Sequence, residues 1–159
     1  MAITRETLTD KKYDFIGNLD ADMTFGPDYF KRVLDNALAD PQFGIAGGGA
    51  YSVRRDGLPV ENGFIQPDFV GGPLQFFRKQ CLDDIGGYQP YDYADVIAVY
   101  SAKMKGWEAR CFPEIRASHH GQPGNTIREK VPICFGIGGG LSYRRGAFFL
   151  SCFDPSSGF

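Results

Sequence analysis

One stretch, residues 13–22, constrains the fold of this chain more than any other. It begins with apolar and β-favouring residues, which are typical of a buried strand: Tyr13, Phe15, Ile16 and Leu19. Asp20 and Asp22 follow directly, at the carboxyl end of that strand. Because ligands of open α/β sheets bind at this edge, the stretch predicts an α/β protein with a candidate site at Asp20 and Asp22.

Two carboxylates one residue apart can turn toward one hard cation, such as Mg²⁺ or Mn²⁺. Asp20 and Asp22 are therefore candidate metal ligands. The alternative is a polar turn after a strand, because the tripeptide Asp-x-Asp alone is short. Acids and histidines that occur later in the chain favour the metal site over the turn.

The composition bounds the size and the class of the domain. With 159 residues the chain is long enough for one compact domain, and its hydrophobic fraction of 43% supports a real core. The formal charge of −2 argues against a nucleic-acid-binding surface, which needs a basic stripe. The four cysteines are scattered without a Cys-x-x-Cys pair, so we expect reduced, mostly buried thiols in a cytosolic setting. Residues 1–12 are polar, so we expect no signal peptide. The sequence has no run of about 18 apolar residues, so we expect no membrane span.

The first half of the chain predicts one clear helix and one glycine-containing strand. The helix opens at Gly26-Pro27 and stops at Pro41, with an apolar face of Phe30, Val33, Leu34, Ala37 and Leu38. Residues 43–53 read as a strand, in which the glycines indicate either a bulge or a close approach of backbone or ligand. Residues 54–66 read as a loop or a hairpin around Asp56-Gly57.

The second half predicts two further helices and short strands. A second helix follows residues 69–73 and ends at Gly86-Gly87, with an apolar face of Leu74, Phe77, Cys81, Leu82 and Ile85. A third helix runs from about Tyr93 to Lys105 and stops at Gly106, with Val96, Ile97, Tyr100 and Met104 on one side. Residues 108–112 and 115–118 read as short strands, and an irregular helix is expected within residues 126–135. The apolar residues 146–153 form either core or a surface that meets a partner or a membrane.

Two further sets of residues carry chemistry that suits a metal site. Asp92 and Asp95 stand at the start of the third helix, and His119 and His120 follow residues 115–118. Such groups can meet in one cleft, where a metal neutralises a diphosphate leaving group and a carboxylate takes a proton from the nucleophile. The competing interpretations are a helix-start acid favoured by the helix dipole for Asp95 and ordinary surface histidines. The sequence contains no Gly-x-Ser-x-Gly, no Walker motif and no cysteine with an obvious partner.

A different enzyme class also fits the acids after the first strand. Asp20-Ala21-Asp22-Met23-Thr24 matches the Asp-x-Asp-x-Thr signature of haloacid-dehalogenase-like phosphatases, with Asp20 as nucleophile and Asp22 as acid/base. Those enzymes also need an acidic pair that ends a later strand. The candidate pair, Asp83-Asp84, lies inside the predicted second helix, which disfavours this alternative.

The order of motifs over about 140 residues resembles the second half of a family 2 glycosyltransferase domain. The resembling pieces, in chain order, are Leu19-Asp20-Ala21-Asp22 with Pro27-Asp28-Tyr29-Phe30, residues 43–48, Val70-Gly71-Gly72-Pro73, residues 77–88, Asp95 ahead of Lys105-Gly106-Trp107, and His119-His120. The resemblance implies a partial GT-A fold, that is, a Rossmann-like three-layer αβα sandwich with a mixed sheet.

The resemblance also implies an activity: metal-dependent, inverting transfer of a sugar from a nucleotide-sugar donor to a saccharide or lipid acceptor, as in polysaccharide or glycolipid synthesis. Asp20 and Asp22 match the Asp-x-Asp motif that holds a divalent metal, Mg or Mn, and the nucleotide diphosphate. Asp95 matches the general base, with Asp92 as its substitute. His119 or His120 matches a position that helps the metal or the phosphates in some members. Gly71, Gly72 and Arg78 match the segment that lines the donor and acceptor pocket.

Members of that family begin with a strand and loop that support the nucleotide base, and no such segment precedes Tyr13. We therefore expect residues 1–159 to form a single, truncated domain that is inactive if the missing part is essential. The non-enzymatic alternative is a folded remnant that only binds a partner. The expected location is the cytoplasm, at the inner face of the membrane if the apolar residues 146–153 give peripheral association.

Overall fold

The computed structural model describes residues 12–53, 59–60, 65–89, 93–120 and 149–153. The strands are β1 (Phe15–Leu19), β2 (Met23–Phe25), β3 (Phe43–Val53), β4 (Pro59–Val60), β5 (Leu74–Arg78), β6 (Glu108–His119) and β7 (Phe149–Phe153). The helices are α1 (Tyr29–Ala39), α2 (Lys79–Asp84) and α3 (Ala94–Met104). Strands and helices alternate along much of the described chain, which is the order expected of an α/β protein.

The strands of the described residues form one mixed sheet in the order β2-β6-β3-β5-β1-β7, with β4 paired to β3. β1 is antiparallel to both of its neighbours, β5 and β7. β3 is antiparallel to β5 and parallel to β6. It follows that β1, β3 and β6 run in one direction and end at the same edge of the sheet.

Helices cover both faces of this sheet, and each face has its own apolar cluster. On one face α1 packs through Tyr29, Val33, Leu34 and Ala37 against the first cluster, which includes Phe15, Leu19 and Phe76. On the other face α2 and α3 pack through Cys81, Ala98, Val99 and Ala102 against the second, which includes Ile16, Ile45 and Phe77. Neighbouring residues of one strand join different clusters, because successive side chains of a strand point to opposite faces.

The sequence-based predictions of β1, α1 and β3 are confirmed. The apolar stretch after Tyr13 forms β1, all of whose residues are buried. The helix before Pro41 is α1, although it begins at Tyr29 and leaves Leu38 46% exposed. The strand with internal glycines is β3, and its pairing with β4 confirms the hairpin. The Asp56-Gly57 turn of that hairpin lies outside the described residues.

The prediction of a second helix from residue 74 is wrong, because residues 74–78 form strand β5 and only α2 is helical. Leu74, Gln75, Phe76 and Phe77 are all buried, since the sheet is covered on both faces. Such a continuous buried run shows no period of two, and its apolar spacing matches that of a helix. The predicted end at Gly86-Gly87 is confirmed, because both glycines have positive φ angles of 77° and 86°.

The third helix is confirmed as α3, and Gly106, with a φ of 85°, follows its end. Its predicted apolar face is wrong: Ile97, Tyr100 and Met104 are exposed, while the buried residues are Ala98, Val99 and Ala102. The small alanines let the helix approach the sheet closely, and the bulky residues lie outside. The two short strands predicted between residues 108 and 118 form one strand, β6.

The glycines of β3 are explained by close backbone approach and a bulge. A Cβ at Gly47 would lie 2.3 Å from the carbonyl oxygen of Leu74, and one at Gly48 would lie 2.1 Å from that of Ile115. The pairing of β3 with β6 shifts register between Gly48 and Gly49. These glycines therefore serve the packing of three adjacent strands.

The remaining predictions concern the cysteines, the apolar segment 146–153, the helix within residues 126–135 and membrane spans. Cys81 and Cys111 are free and buried, as predicted. Part of the apolar segment 146–153 forms β7, which pairs with β1. The irregular helix expected within residues 126–135 lies outside the described residues. Within the part of the chain that is described, no helix has the length and apolar character needed to cross a membrane.

Candidate metal centre

The candidate site forms where β1 and β6 end. Asp20 directly follows β1, and His119 is the last residue of β6. The chain turns after β1 through Asp20 and Asp22 into β2, whose first residue, Met23, is paired with His119. A hydrogen bond of 2.9 Å from the backbone N–H of His120 to the carbonyl of Asp22 fixes this junction. The turn thus brings both acids to the end of a strand far away in sequence.

Asp20, Asp22 and His119 lie close enough together to become ligands of one metal ion. One ligand atom from each residue can be chosen so that all lie within 4.8 Å of one another. The Nε2 atom of His119 lies 3.2 Å from Oδ2 of Asp22. Ligands about 2.1 Å from one ion are about 3 Å apart when adjacent and at most about 4.2 Å apart when opposite. Small side-chain rotations would therefore close the group around a divalent ion, and two carboxylates with one imidazole suit such an ion.

The electrostatic environment of Asp20 also favours a cation. Burial raises the pKa of the Asp20 carboxyl, and the nearby charges of Asp22 and Asp95 raise it further, while His119 lowers it. The raised pKa means that the ionised carboxylate is less favourable here than in water. A divalent cation would offset both the burial and the repulsion between these acids.

The structure distinguishes between the two histidines that the sequence left equivalent. His119 is half-buried and lies beside Asp22. His120 is exposed, and its Nε2 atom lies 2.7 Å from the hydroxyl of Thr24. Of the two predicted metal ligands, only His119 belongs to the metal-ligand group of the described residues. The adjacent histidines separate because neighbouring residues at the end of a strand point to opposite sides.

Asp95 lies near this group, at the first turn of α3. Its carboxylate Oδ2 accepts a hydrogen bond of 3.2 Å from the backbone N–H of Gly72. The residue before the helix, Tyr93, has a left-handed conformation with a φ of 63°. Asp95 also contributes to the raised pKa of Asp20, so the two carboxylates belong to one electrostatic environment. Asp92, the alternative base, lies outside the described residues.

The other predicted pocket residues have different positions. Gly72 contacts Asp95, and Gly71 is exposed in the same loop. Arg78 lies opposite Phe15, whereas Leu74 lies opposite Leu19, next to the acids. At about 3.3 Å per residue, Arg78 is about 13 Å from that end of the strand. Its guanidinium donates to the carbonyls of Phe43, Ala37 and Asp40, so we assign it to the packing of α1 and leave it out of the site.

Sequence reasoning missed three residues that surround Asp95: Asn18, Gln75 and Tyr88. Asn18 and Gln75 are buried polar residues within strands. Tyr88 lies near Asn18 and near the carboxylates of Asp95 and Asp20, and burial raises the pKa of its hydroxyl. An asparagine inside an otherwise apolar strand is a signal that could have identified Asn18, since asparagine is rare in strands.

No family model matches this chain, and no curated protein gives a significant match to it. The family resemblance therefore stays a prediction. The chemistry of the site rests on its own geometry: a candidate cation site at Asp20, Asp22 and His119, with a further carboxylate, Asp95, nearby in the first turn of α3.

Proposed function

We propose that this chain binds a divalent metal ion and a nucleoside diphosphate at the ends of β1 and β6, and that it transfers a sugar from a nucleotide-sugar to a saccharide or lipid acceptor. The observation that carries the proposal is the convergence of Asp20, Asp22 and His119 within ligand distance of one another. The GT-A type of fold is part of the same proposal. The mixed sheet with helices on both faces supports it.

The residues of the site divide into two roles. Asp20, Asp22 and His119 would hold the ion, which, when bound, neutralises the charge that develops on the diphosphate leaving group. Asp95 would accept the proton of the acceptor hydroxyl. Its Oδ2 accepts one hydrogen bond from Gly72, and a carboxylate oxygen has a second lone pair that can face a hydroxyl. An ion-holding group and a separate base are what a metal-dependent inverting transfer uses.

The phosphatase alternative has less support. Its acidic pair would be Asp83 and Asp84, which lie in α2 rather than at the end of a strand. Asp83 forms an ion pair with Lys79 at 2.6 Å, and Asp84 accepts a hydrogen bond of 2.9 Å from the indole of Trp107. Asp83 is thus engaged within α2, and Asp84 is engaged by the residue that precedes β6.

Calorimetric titration of the chain with UDP and with GDP, with and without Mn²⁺, tests the binding step. We expect the nucleotide to bind only when Mn²⁺ is present. Asp22→Ala should weaken this binding at least about tenfold, because even a single hydrogen bond to a charged group contributes about 1.5–3 kcal/mol. The matched control is Asp35→Ala, which removes an exposed carboxylate of α1 whose ion pair, within the described part of the chain, is with Lys31. Metal-independent binding, or equal effects of the two variants, would contradict the proposed site.

Hydrolysis or transfer from UDP-glucose, UDP-N-acetylglucosamine and GDP-mannose tests the chemical step. We expect slow, Mn²⁺-dependent release of sugar with at least one donor, and its loss in Asp95→Asn without loss of UDP or GDP binding. Binding without turnover of any donor would instead favour the non-catalytic binding module, for which Asp20, Asp22 and His119 would still be needed.

A further inference from the structure

Two amide side chains are buried side by side in the sheet. Asn18 of β1 and Gln75 of β5 occupy directly opposite positions of the antiparallel pair. Asn18 is 7% exposed and Gln75 is 0% exposed. They share a face with Ile16 and Phe77, which belong to the apolar cluster beneath α3. A buried amide costs free energy unless it is hydrogen-bonded, so the partners of these two side chains show what they are for.

Both amides donate hydrogen bonds to the loop that contacts Asp95, and Gln75 also donates one to the main chain of Asp95 itself. Asn18 Nδ2 donates to the carbonyl of Gly72 at 3.1 Å. Gln75 Nε2 donates to the carbonyls of Val70 and Asp95, each at 3.0 Å. Gly72 in turn donates its N–H to the Asp95 carboxylate at 3.2 Å. Asp95 is therefore held through its main chain by Gln75 and through its side chain by a loop that Asn18 and Gln75 fix.

The fit around Asp95 is close. A Cβ on Gly72 would lie 3.0 Å from Oδ2 of Asp95 and 3.1 Å from its Cβ, so even an alanine would displace the carboxylate. Tyr88 lies near both Asn18 and Asp95. The Tyr88 ring is fixed by an edge contact with Phe77, with centroids 5.8 Å apart. Gly72 and Tyr88 are thus each held by a second contact, Gly72 by Asn18 and Tyr88 by Phe77.

This arrangement costs stability. Gln75 Oε1 is buried and has no hydrogen-bond partner among the described residues. An unpaired buried acceptor costs about 1–3 kcal/mol, and an apolar residue of similar volume would avoid that cost. Departures from a consistent apolar core are expected where function requires them.

We propose that Asn18 and Gln75 are positioning residues, which hold the Asp95 carboxylate at a fixed distance from Asp20 and Asp22. The contacts stand by themselves, whereas their catalytic consequence rests on the proposed function. The matched variants are Gln75→Met and Gln89→Met. The Gln89 amide also donates to two carbonyls, those of Gly86 and Gly87, both at 3.2 Å, and neither bond involves Asp95.

The first readout is spectroscopic and does not need activity. The chemical shift of the Gly72 amide proton reports its hydrogen bond to the Asp95 carboxylate, so Asp95→Asn changes it. We expect the shift difference of the Gly72 amide proton caused by Asp95→Asn to be at least halved in chains that carry Gln75→Met or Asn18→Leu. In chains that carry Gln89→Met it should equal that of the wild type. The same shift difference in all of these chains would overturn the proposal. If Asn18→Leu does not fold, the comparison of Gln75→Met with Gln89→Met decides the question.

The second readout separates binding from chemistry with the nucleotide-sugar that the wild-type chain turns over. We expect Gln75→Met to lower kcat at least about tenfold, because displacement of a catalytic group by 1 Å costs about 10²-fold in rate. The KM for the donor and the Mn²⁺-dependent binding of UDP or GDP stay within about twofold, since the metal ligands are untouched. A parallel loss of kcat and nucleotide binding would indicate a merely structural role. If the wild-type chain turns over no donor, the proposed function fails, and the spectroscopic result alone decides on positioning.

Discussion

Tyr29→Phe tests the contact that joins α1 to the glycine segment of β3. The Tyr29 hydroxyl accepts a hydrogen bond of 3.0 Å from the backbone N–H of Gly48. Tyr29 is 1% exposed, and burial raises the pKa of its hydroxyl, so the group stays neutral over the working pH range. The substitution keeps the ring, which packs against Phe25, Phe30 and Phe76, and removes only the oxygen.

The magnitude follows from what the lost oxygen leaves behind. The N–H of Gly48 would be buried without a partner, which costs about 1–3 kcal/mol. A loss of about 2 kcal/mol lowers the Tm of a chain of this length by about 4–8 °C. Because no cavity larger than one oxygen atom forms, we expect no additional cost from lost packing.

Urea unfolding followed by circular dichroism measures this free energy. The slope of the transition should match that of the wild type, since the same surface is exposed on unfolding. Tyr100→Phe is the control, because Tyr100 is 58% exposed, and its free energy of unfolding should stay within about 0.5 kcal/mol of the wild type. Equal stability of Tyr29→Phe and the wild type would show that the hydrogen bond from Gly48 to Tyr29 does not stabilise the fold.

Two further predictions concern Asp20 and Arg78. Because burial and neighbouring charges raise the pKa of Asp20, its ionisation opposes folding above the folded-state pKa and has no effect below the unfolded-state value. Asp20→Asn should therefore raise the Tm of the metal-free chain at neutral pH and abolish any rise on addition of Mn²⁺; a lower Tm without metal would contradict this electrostatic account. Arg78→Met removes the donor to the carbonyls of Ala37, Asp40 and Phe43 and the contact of the guanidinium with the Phe15 ring. It should destabilise the fold by about 2 kcal/mol in a chemical melt and leave the Mn²⁺-dependent affinity for UDP or GDP within about twofold; weaker nucleotide binding by a folded variant would place Arg78 in the site.

The sequence alone determined the elements whose pattern is set locally. The apolar stretch of β1, the amphipathic period of α1 before Pro41 and the glycine stops after α2 and α3 can be read without a structure. The position of Asp20 and Asp22 at the end of β1 belongs to the same group. In each case neighbouring residues carry the whole signal, because the period of a helix or a terminating glycine needs no distant partner.

Three other features depend on contacts between segments that are distant in the sequence. Residues 74–78 form a strand because the sheet offers β1 and β3 as partners, although their apolar spacing also fits a helix. His119 rather than His120 joins the acids because β2 pairs with the end of β6. Asn18 and Gln75 meet beneath α3 because of the register of β1 with β5. Each of these choices depends on the pairing of strands far apart in the chain, and a sequence pattern read locally contains no information about that pairing.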